Sequence, residues 1–144
     1  MVNEQIQQLT EPDGTPVCNV GFDLSAQQLA AASFAVGEIL VERHRGQALE
    51  IDDVLALREL TGVRDELQVL ADADAHARLL LTLARFIALH DAVDEYVVTR
   101  TGRDWIRDAD REALPYAGAL LAPMAALRAD ALAAVLGASE PAAG

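Results

Sequence analysis

Several residue types are scarce or missing in this 144-residue chain, and each shortage excludes a class of structure. Cys18 is the only cysteine, so neither an intrachain disulfide nor a cysteine-based metal cluster can form. Aromatic residues make up only 4% of the chain. Because strands favour aromatic and β-branched side chains, this shortage disfavours a structure built mainly of strands. Lysine is absent, and the eleven arginines form no cluster that could follow a phosphate backbone.

The charge balance also narrows the possible partners. The formal net charge is −12, which disfavours nucleic acids and anionic membranes and suits a basic protein partner. The longest uncharged run, Ala113 to Leu127, contains Pro115 and Pro123 and is too short and broken to span a bilayer. The first 14 residues lack the basic start and apolar core of a signal peptide. We therefore expect a cytoplasmic protein with no membrane contact.

What the chain has in abundance is alanine and leucine, within a hydrophobic content of 52%. Both are strong helix formers, so we predict a single-domain, all-α bundle of five or six helices around a long central helix. We predict three regions in the chain: an irregular N-terminal arm at 1–24, the helical bundle at 25–137 and a flexible tail at 138–144.

Local signals place the first two helices. Ser25 and Gln28 form the S-x-x-Q pattern of a capping box, which predicts a helix from Ser25 to about His44. A second helix is expected to start near Ile51. Its apolar positions keep their spacing through Gly62, so either one helix contains a tolerated glycine or two short helices meet at Thr61 and Gly62, and we favour the break.

The central helix is predicted at about 73–100, with Asp72 or Asp74 as its cap. Its apolar seam should contain a 3-4 spaced series of residues: His76, Leu79, Leu83, Phe86, His90, Val93 and Val97. A short helix at 104–113 should then close at Pro115, and Pro123 should open a final helix that ends at Gly137.

Arg85 and His90 lie in RFIALH and match the pattern Arg-x4-His. That spacing resembles the catalytic motif of the HEPN family, helical proteins that include ribonucleases. The resemblance implies that Arg85 and His90 would meet at one site and act on an RNA phosphate. In a continuous helix, however, a five-residue step turns about 140° and places Arg85 on the polar face and His90 on the apolar seam. A structural role for His90, between Phe86 and Val93, is the competing interpretation.

Asp72/His76 and His90/Asp94 are two i, i+4 pairs, and each could offer two metal ligands from one helix face. The pairs lie roughly 21 Å apart along a helix, so they could not share one metal within a chain. Each would need further ligands, from His44 for example or from a second chain. The alternative is that each Asp and His form a hydrogen bond.

Residues 57–70, LRELTGVRDELQVL, resemble the helix-turn-helix of bacterial DNA-binding regulators, with Gly62 at the turn. The resemblance implies that the segment opening at Arg64 would read DNA. Asp65 and Glu66 would then face phosphates with the wrong sign of charge. A plain corner between two helices explains the same pattern.

The functional class that we expect is a non-catalytic, acidic, helical protein–protein interaction module that needs no cofactor. It could act as an immunity or antitoxin-like protein or as an accessory subunit, and we expect a homodimer formed through helix faces. The competing class is an enzyme built on Arg85 and His90 or on an Asp/His metal pair. A DNA-binding regulator that uses residues 57–70 is a third alternative.

Overall fold

The computed structural model describes residues 6–10, 16–45 and 51–139, which form a mostly helical domain with a small antiparallel sheet. The predicted helical character is therefore confirmed in its coarse form. The all-α bundle of five or six helices is wrong, since these residues form four helices and three strands. The elements run in the order β1 (Ile6–Thr10), β2 (Pro16–Leu24), α1 (Ala26–His44), α2 (Ile51–Asp72), β3 (Ala77–Thr82), α3 (Leu83–Thr101) and α4 (Asp108–Ser139).

The predicted irregular arm at 1–24 is largely a β-hairpin. β1 pairs antiparallel with β2, and β2 pairs antiparallel with β3, which gives the sheet order β1-β2-β3. In β2 the alternate residues Val20, Phe22 and Leu24 are buried, whereas Asp23 is exposed. This period of two buries one face of the sheet against the helices. Residues 1–5 and 11–15 lie outside the described part of the chain.

The predicted central helix at 73–100 is wrong in its first third, where the chain forms strand β3. Leu79 and Leu81 are buried and Leu80 between them is exposed, which is strand rather than helix periodicity. The 3-4 series continued through this segment because Leu79 and Leu83 also fit a helical step. Helix α3 begins only at Leu83, and the Oγ1 atom of Thr82 caps it by accepting a hydrogen bond from the backbone of Arg85.

Neither Asp72 nor Asp74 acts as the predicted cap. Asp72 is the last residue of α2, and Asp74 lies in the turn that follows it. Asp74 has a φ of 49°, in the left-handed region that aspartate tolerates better than most residues. The chain reverses here and enters the sheet.

Helices α1 and α2 begin where the sequence predicts. The capping box at α1 is confirmed, with Gln28 N–H donating to Ser25 Oγ at 3.2 Å and Ser25 N–H donating to Gln28 Oε1 at 2.9 Å. The predicted break at Gly62 is wrong, because α2 is continuous from Ile51 to Asp72. Its buried residues Leu60, Val63 and Leu67 outweigh the roughly 1 kcal/mol cost of a helical glycine. Residues 140–144 of the predicted tail at 138–144 lie outside the described residues, whereas Ala138 and Ser139 belong to α4.

Helix α4 is one helix where two were predicted. It runs through Pro115 and Pro123, both of which are exposed, so the groups that proline leaves unpaired face water. Its buried side carries a regular apolar series: Ala113, Ala117, Leu120, Met124, Leu127 and Ala131. Among the described residues, Asp108–Leu136 is long and apolar enough to cross a membrane by length and composition. This is weak evidence for a membrane-spanning helix, because the core helices of soluble proteins have the same length and composition.

The core lies where the sheet and all four helices meet. Phe22 of β2 and Phe86 of α3 form an edge-to-face pair with ring centroids 6.2 Å apart, which joins the sheet to the helices. Helices α1 and α3 each contact all three other helices, so residues 73–100 do not form the single central helix that was predicted. Helix α1 lies between α2 and α4, and one of its sides faces outward.

Candidate functional site

Arg85 and His90 contact different helices and are not brought to one site. Nε of Arg85 donates to Glu59 Oε2 of α2 at 3.0 Å, and Nη1 lies 3.4 Å from Glu66 Oε1 of the same helix. His90 is half-buried, and its Nδ1 lies 3.2 Å from Nη1 of Arg128 on α4. Since arginine can only donate, Nδ1 is the acceptor in this hydrogen bond.

The proposed metal pairs are not arranged as the sequence suggested. Asp72 ends α2 and His76 follows a turn, so the two do not share one helix face. Asp72 instead accepts a hydrogen bond from Gln68 Nε2 at 2.8 Å. His90 and Asp94 do share α3, but the Nδ1 atom of His90 is hydrogen-bonded to the Arg128 cation, which opposes binding of a metal ion there. Within residues 6–10, 16–45 and 51–139, no group of three or more ligating side chains is close enough to hold a metal ion.

The segment at 57–70 is part of the uninterrupted helix α2. A helix-turn-helix needs a turn between its helices, and this segment has none. The guanidinium group of Arg85 lies over Gly62, where an added β-carbon would come within 3.1 Å of Nη2. A larger residue at this position would therefore require the end of the Arg85 side chain to shift by a few tenths of an ångström.

A different feature of the fold offers a binding surface: the outward side of α1. Ala30, Phe34, Gly37 and Val41 follow one another at steps of four, three and four residues, so they line one face of the helix. Ala30 is exposed and Val41 retains 45% of its exposure. A β-carbon at Gly37 would meet no atom of the described residues within 4 Å. This stripe is the floor of an open channel.

The channel has two parts, one on each side of α1, with cavity volumes of about 660 and 560 Å³. They meet at Ala30 and Phe34, which line both. Together with the floor, these parts are called here the α1 groove. Its walls are formed on one side by α2 (Arg64, Asp65, Gln68, Ala71 and Asp72) and on the other by α4 (Ala109, Glu112, Ala113 and Tyr116).

The rim of the α1 groove is mainly acidic. Glu38, Asp65 and Asp72 line the α2 side, and Glu112 lines the α4 side. Arg64 is the single basic residue among those that line the two parts, and its Nη2 lies 3.4 Å from Asp65 Oδ1. An apolar floor with charged edges is the usual form of a surface that binds an amphipathic helix.

One end of the groove is anchored by a buried ionic cluster. Arg100 of α3 is only 2% exposed, and its Nη2 atom lies 2.6 Å from Glu42 Oε1 and 3.7 Å from Glu38 Oε2. Its Nε atom lies 3.6 Å from Asp110 Oδ1 and makes no hydrogen bond within the described part of the chain. Three carboxylates from α1 and α4 therefore surround one buried cation.

Tyr96 and Arg107 complete this cluster. The hydroxyl of Tyr96 donates to Asp110 Oδ1 at 2.6 Å, and Nε of Arg107 donates to Asp110 Oδ2 at 3.2 Å. Arg107 also pairs with Glu38, and its guanidinium carbon lies 5.8 Å from the ring centroid of Phe34. The cluster therefore fixes Phe34, at the centre of the groove floor, against α3 and the start of α4.

The cluster shifts the pKa values of Arg107, Asp110 and Tyr96, and hydrogen bonds to Glu38 and Asp110 raise that of Arg107. Burial acts to raise the pKa of Asp110, but hydrogen bonds from Tyr96 and Arg107 and the nearby guanidinium charges outweigh it and hold that pKa below its ordinary value. Burial and the hydrogen bond to Asp110 raise the pKa of Tyr96 well above its ordinary value. Asp110 is therefore charged and Tyr96 neutral at pH 7, as their hydrogen bond requires.

The sequence contains a pattern that indicates this cluster, but the apolar series predicted for the central helix does not include it. The buried residues of α3 include Phe86, Leu89, Val93, Tyr96 and Arg100, which are spaced by three and four. Following this series rather than the one through His90 and Val97 places Arg100 on the buried side of the helix. A buried arginine needs carboxylate partners, which would have pointed to a cluster.

Comparison with known proteins adds no relative to this description. No protein-family model matches the chain, and no curated protein or solved structure matches it significantly.

Proposed function

We propose that this chain is a non-catalytic protein–protein interaction module whose partner binds in the α1 groove. The observation that carries the proposal is the outward stripe of Ala30, Phe34, Gly37 and Val41 between the walls of α2 and α4. A helix face that is apolar on its outward as well as its inward side favours burial against a further protein. In this role the chain would serve as an accessory subunit or as an immunity or antitoxin-like protein.

The candidate chemical groups support a non-catalytic role. The HEPN-like interpretation requires Arg85 and His90 to meet at one phosphate. Arg85 is held by two carboxylates of α2, whereas His90 is held by Arg128 of α4. Tyr96 and Asp110, whose pKa values are shifted by their surroundings, are each fully buried and hydrogen-bond to each other rather than lining a cavity. Their geometry suits stabilisation of the groove.

The test is a selection of helical peptides from a displayed library in which charge is left unconstrained. We expect the selected peptides to bind the wild type and to lose at least about tenfold in affinity, or roughly 1.4 kcal/mol, for Gly37→Leu, which fills the groove. Gly118→Leu is the matched control, because Gly118 is also within a helix and also has open space beside it. Peptides that bind both variants equally would contradict the proposed site.

A further inference from the structure

We propose that the segment bound by the α1 groove is a cationic amphipathic helix, with its apolar side on the floor and basic side chains toward both walls. This inference rests on the proposed function and adds the chemistry of the partner. The observations behind it are the spacing of the floor, the charge of the walls and the distribution of charge over the whole chain.

The floor has the dimensions and shape of a helix-binding surface. From Ala30 to Val41 it extends for roughly 16 Å, or three helical turns. Ala30 and Gly37 are small residues about two helical turns apart on the same face. Small side chains at these positions let the backbone of another helix approach α1 closely. Phe34 and Val41 alternate with them and offer apolar contact. A bound helix of about three to four turns would cover the whole stripe.

The walls supply carboxylates on both sides of such a helix. Asp72 on α2 and Glu112 on α4 are exposed, and neither forms an ion pair with an arginine within the described residues. Asp65 lies on the same wall, but its carboxylate is paired with Arg64 at 3.4 Å, so Asp72 and Glu112 carry the unpaired charges of the described walls. A helix with basic residues on both edges of its apolar face would place a positive charge near each wall. Complementary charges of this kind increase the association rate and set the orientation of binding.

The same charges argue against a second copy of this chain as the occupant. With a net charge of −12, two chains repel each other before they meet. Each of the four helices would also bring its own carboxylates to an acidic rim, for example Asp94 and Glu95 from α3 or Asp108 and Glu112 from α4. Like charges placed together oppose binding, so a partner of opposite charge fits better.

Three fluorescein-labelled, 18-residue synthetic helices test the proposal. All share one leucine face, and their polar face consists of Lys, Gln or Glu. We expect the Leu/Lys helix to bind, the Leu/Gln helix to bind at least about tenfold more weakly, and the Leu/Glu helix not to bind. Raising the salt concentration from 50 to 200 mM should weaken the Leu/Lys complex, because salt screens exposed charges.

Paired variants separate specific contacts from general attraction between acid and base. Gly37→Leu should abolish Leu/Lys binding, whereas Gly118→Leu should leave it unchanged. Asp72→Asn/Glu112→Gln should weaken binding by about three- to tenfold. The control, Asp23→Asn/Asp94→Asn, makes the same change in net charge at exposed positions outside the groove and should have little effect. Circular dichroism confirms that each variant is folded.

Each outcome is decisive. If Leu/Gln binds as tightly as Leu/Lys and still depends on Gly37, the cationic partner is wrong and the proposed function stands. If both double variants weaken binding equally, the attraction is unspecific and the inference is overturned. Light scattering that shows a dimer lost in Gly37→Leu would make a second copy the occupant and would also overturn it. If no peptide, synthetic or selected, responds to Gly37→Leu, the proposed function itself fails.

Discussion

The hydroxyl of Tyr96 and the carboxylate of Asp110 form a 2.6 Å hydrogen bond in which both side chains are fully buried. The bond joins α3 to the start of α4, so it fixes one end of the α1 groove. A hydrogen bond to a charged group contributes more than one between neutral groups, because the ionised acceptor has to be compensated when water is removed.

Removing this hydroxyl should destabilise the protein. We expect Tyr96→Phe to lower the free energy of unfolding by about 1.5–3 kcal/mol, since it leaves a buried carboxylate with one donor fewer. Urea denaturation followed by circular dichroism measures the change. Tyr116→Phe is the control, because Tyr116 is 43% exposed, and it should shift stability by less than about 0.5 kcal/mol. Equal losses in both variants would contradict the role assigned to the hydrogen bond.

Acid should remove the contribution of Asp110. Its pKa in the folded protein is held below the value in the unfolded chain, which is about 3.9 for an ordinary aspartate. The stabilisation is therefore fully present above the unfolded-state pKa and is lost as the pH falls through the folded-state pKa. We expect the stability difference between wild type and Asp110→Asn to be constant from pH 7 to 5 and to shrink below about pH 4. A difference that grows on acidification would reverse the assigned direction.

The thiol of Cys18 should react slowly. Partial burial raises the pKa of this thiol, and the thiolate is the reactive form. We expect the folded protein to react with a disulfide reagent at pH 7.5 more slowly than the same protein in urea, and to gain reactivity as the pH rises. Because Cys18 is the only cysteine, the absorbance change reports on this site alone. A folded thiol that reacts as fast as the unfolded one would contradict the assigned shift.

Catalysis by Arg85 and His90 has its own test. We expect the purified protein to leave single-stranded RNA intact, and Arg85→Ala and His90→Ala to behave in the same way. Arg85→Ala should cost about 1 kcal/mol or less per lost ion pair with Glu59 or Glu66, because both pairs are partly open to solvent. A chelator should leave the melting temperature unchanged. RNA cleavage that is lost in both variants, or melting that depends on metal, would restore the enzyme alternative.

The sequence predicted the features that depend on neighbouring residues. Ser25 and Gln28 lie three residues apart, so their capping box could be recognised without knowledge of the fold. The sequence of α1 also contains a second apolar row, Phe34 and Val41, beside the inward row of Leu29, Val36 and Leu40. The sequence could not show that this second face remains open, since its neighbours α2 and α4 are distant in the chain.

The structural features that the sequence did not predict depend on residues that are far apart in the chain. Residues 77–82 have leucines that fit either period, and only the pairing with 19–24 makes them a strand. Gly62 looked like a helix break, but the α2 helix passes through it and Arg85 from α3 lies over it. The 3-4 series through Tyr96 places Arg100 on the buried side of α3, but the carboxylates that surround it come from α1 and α4. In each case the decisive group comes from elsewhere in the chain.

The pairing of β2 with β3 also has a consequence for how the chain folds. The register that places Leu24 opposite Ala77 closes a loop of about 50 residues, which contains both α1 and α2. Closing such a loop costs chain entropy before any contact repays it. Contacts between α1 and α2 are more local and can form earlier, and they shorten the distance that the strands must cross. We therefore expect the packing of α1 against α2 to form early in folding and the pairing of β2 with β3 to form last. Substitutions in β3 should then accelerate unfolding more than they slow refolding.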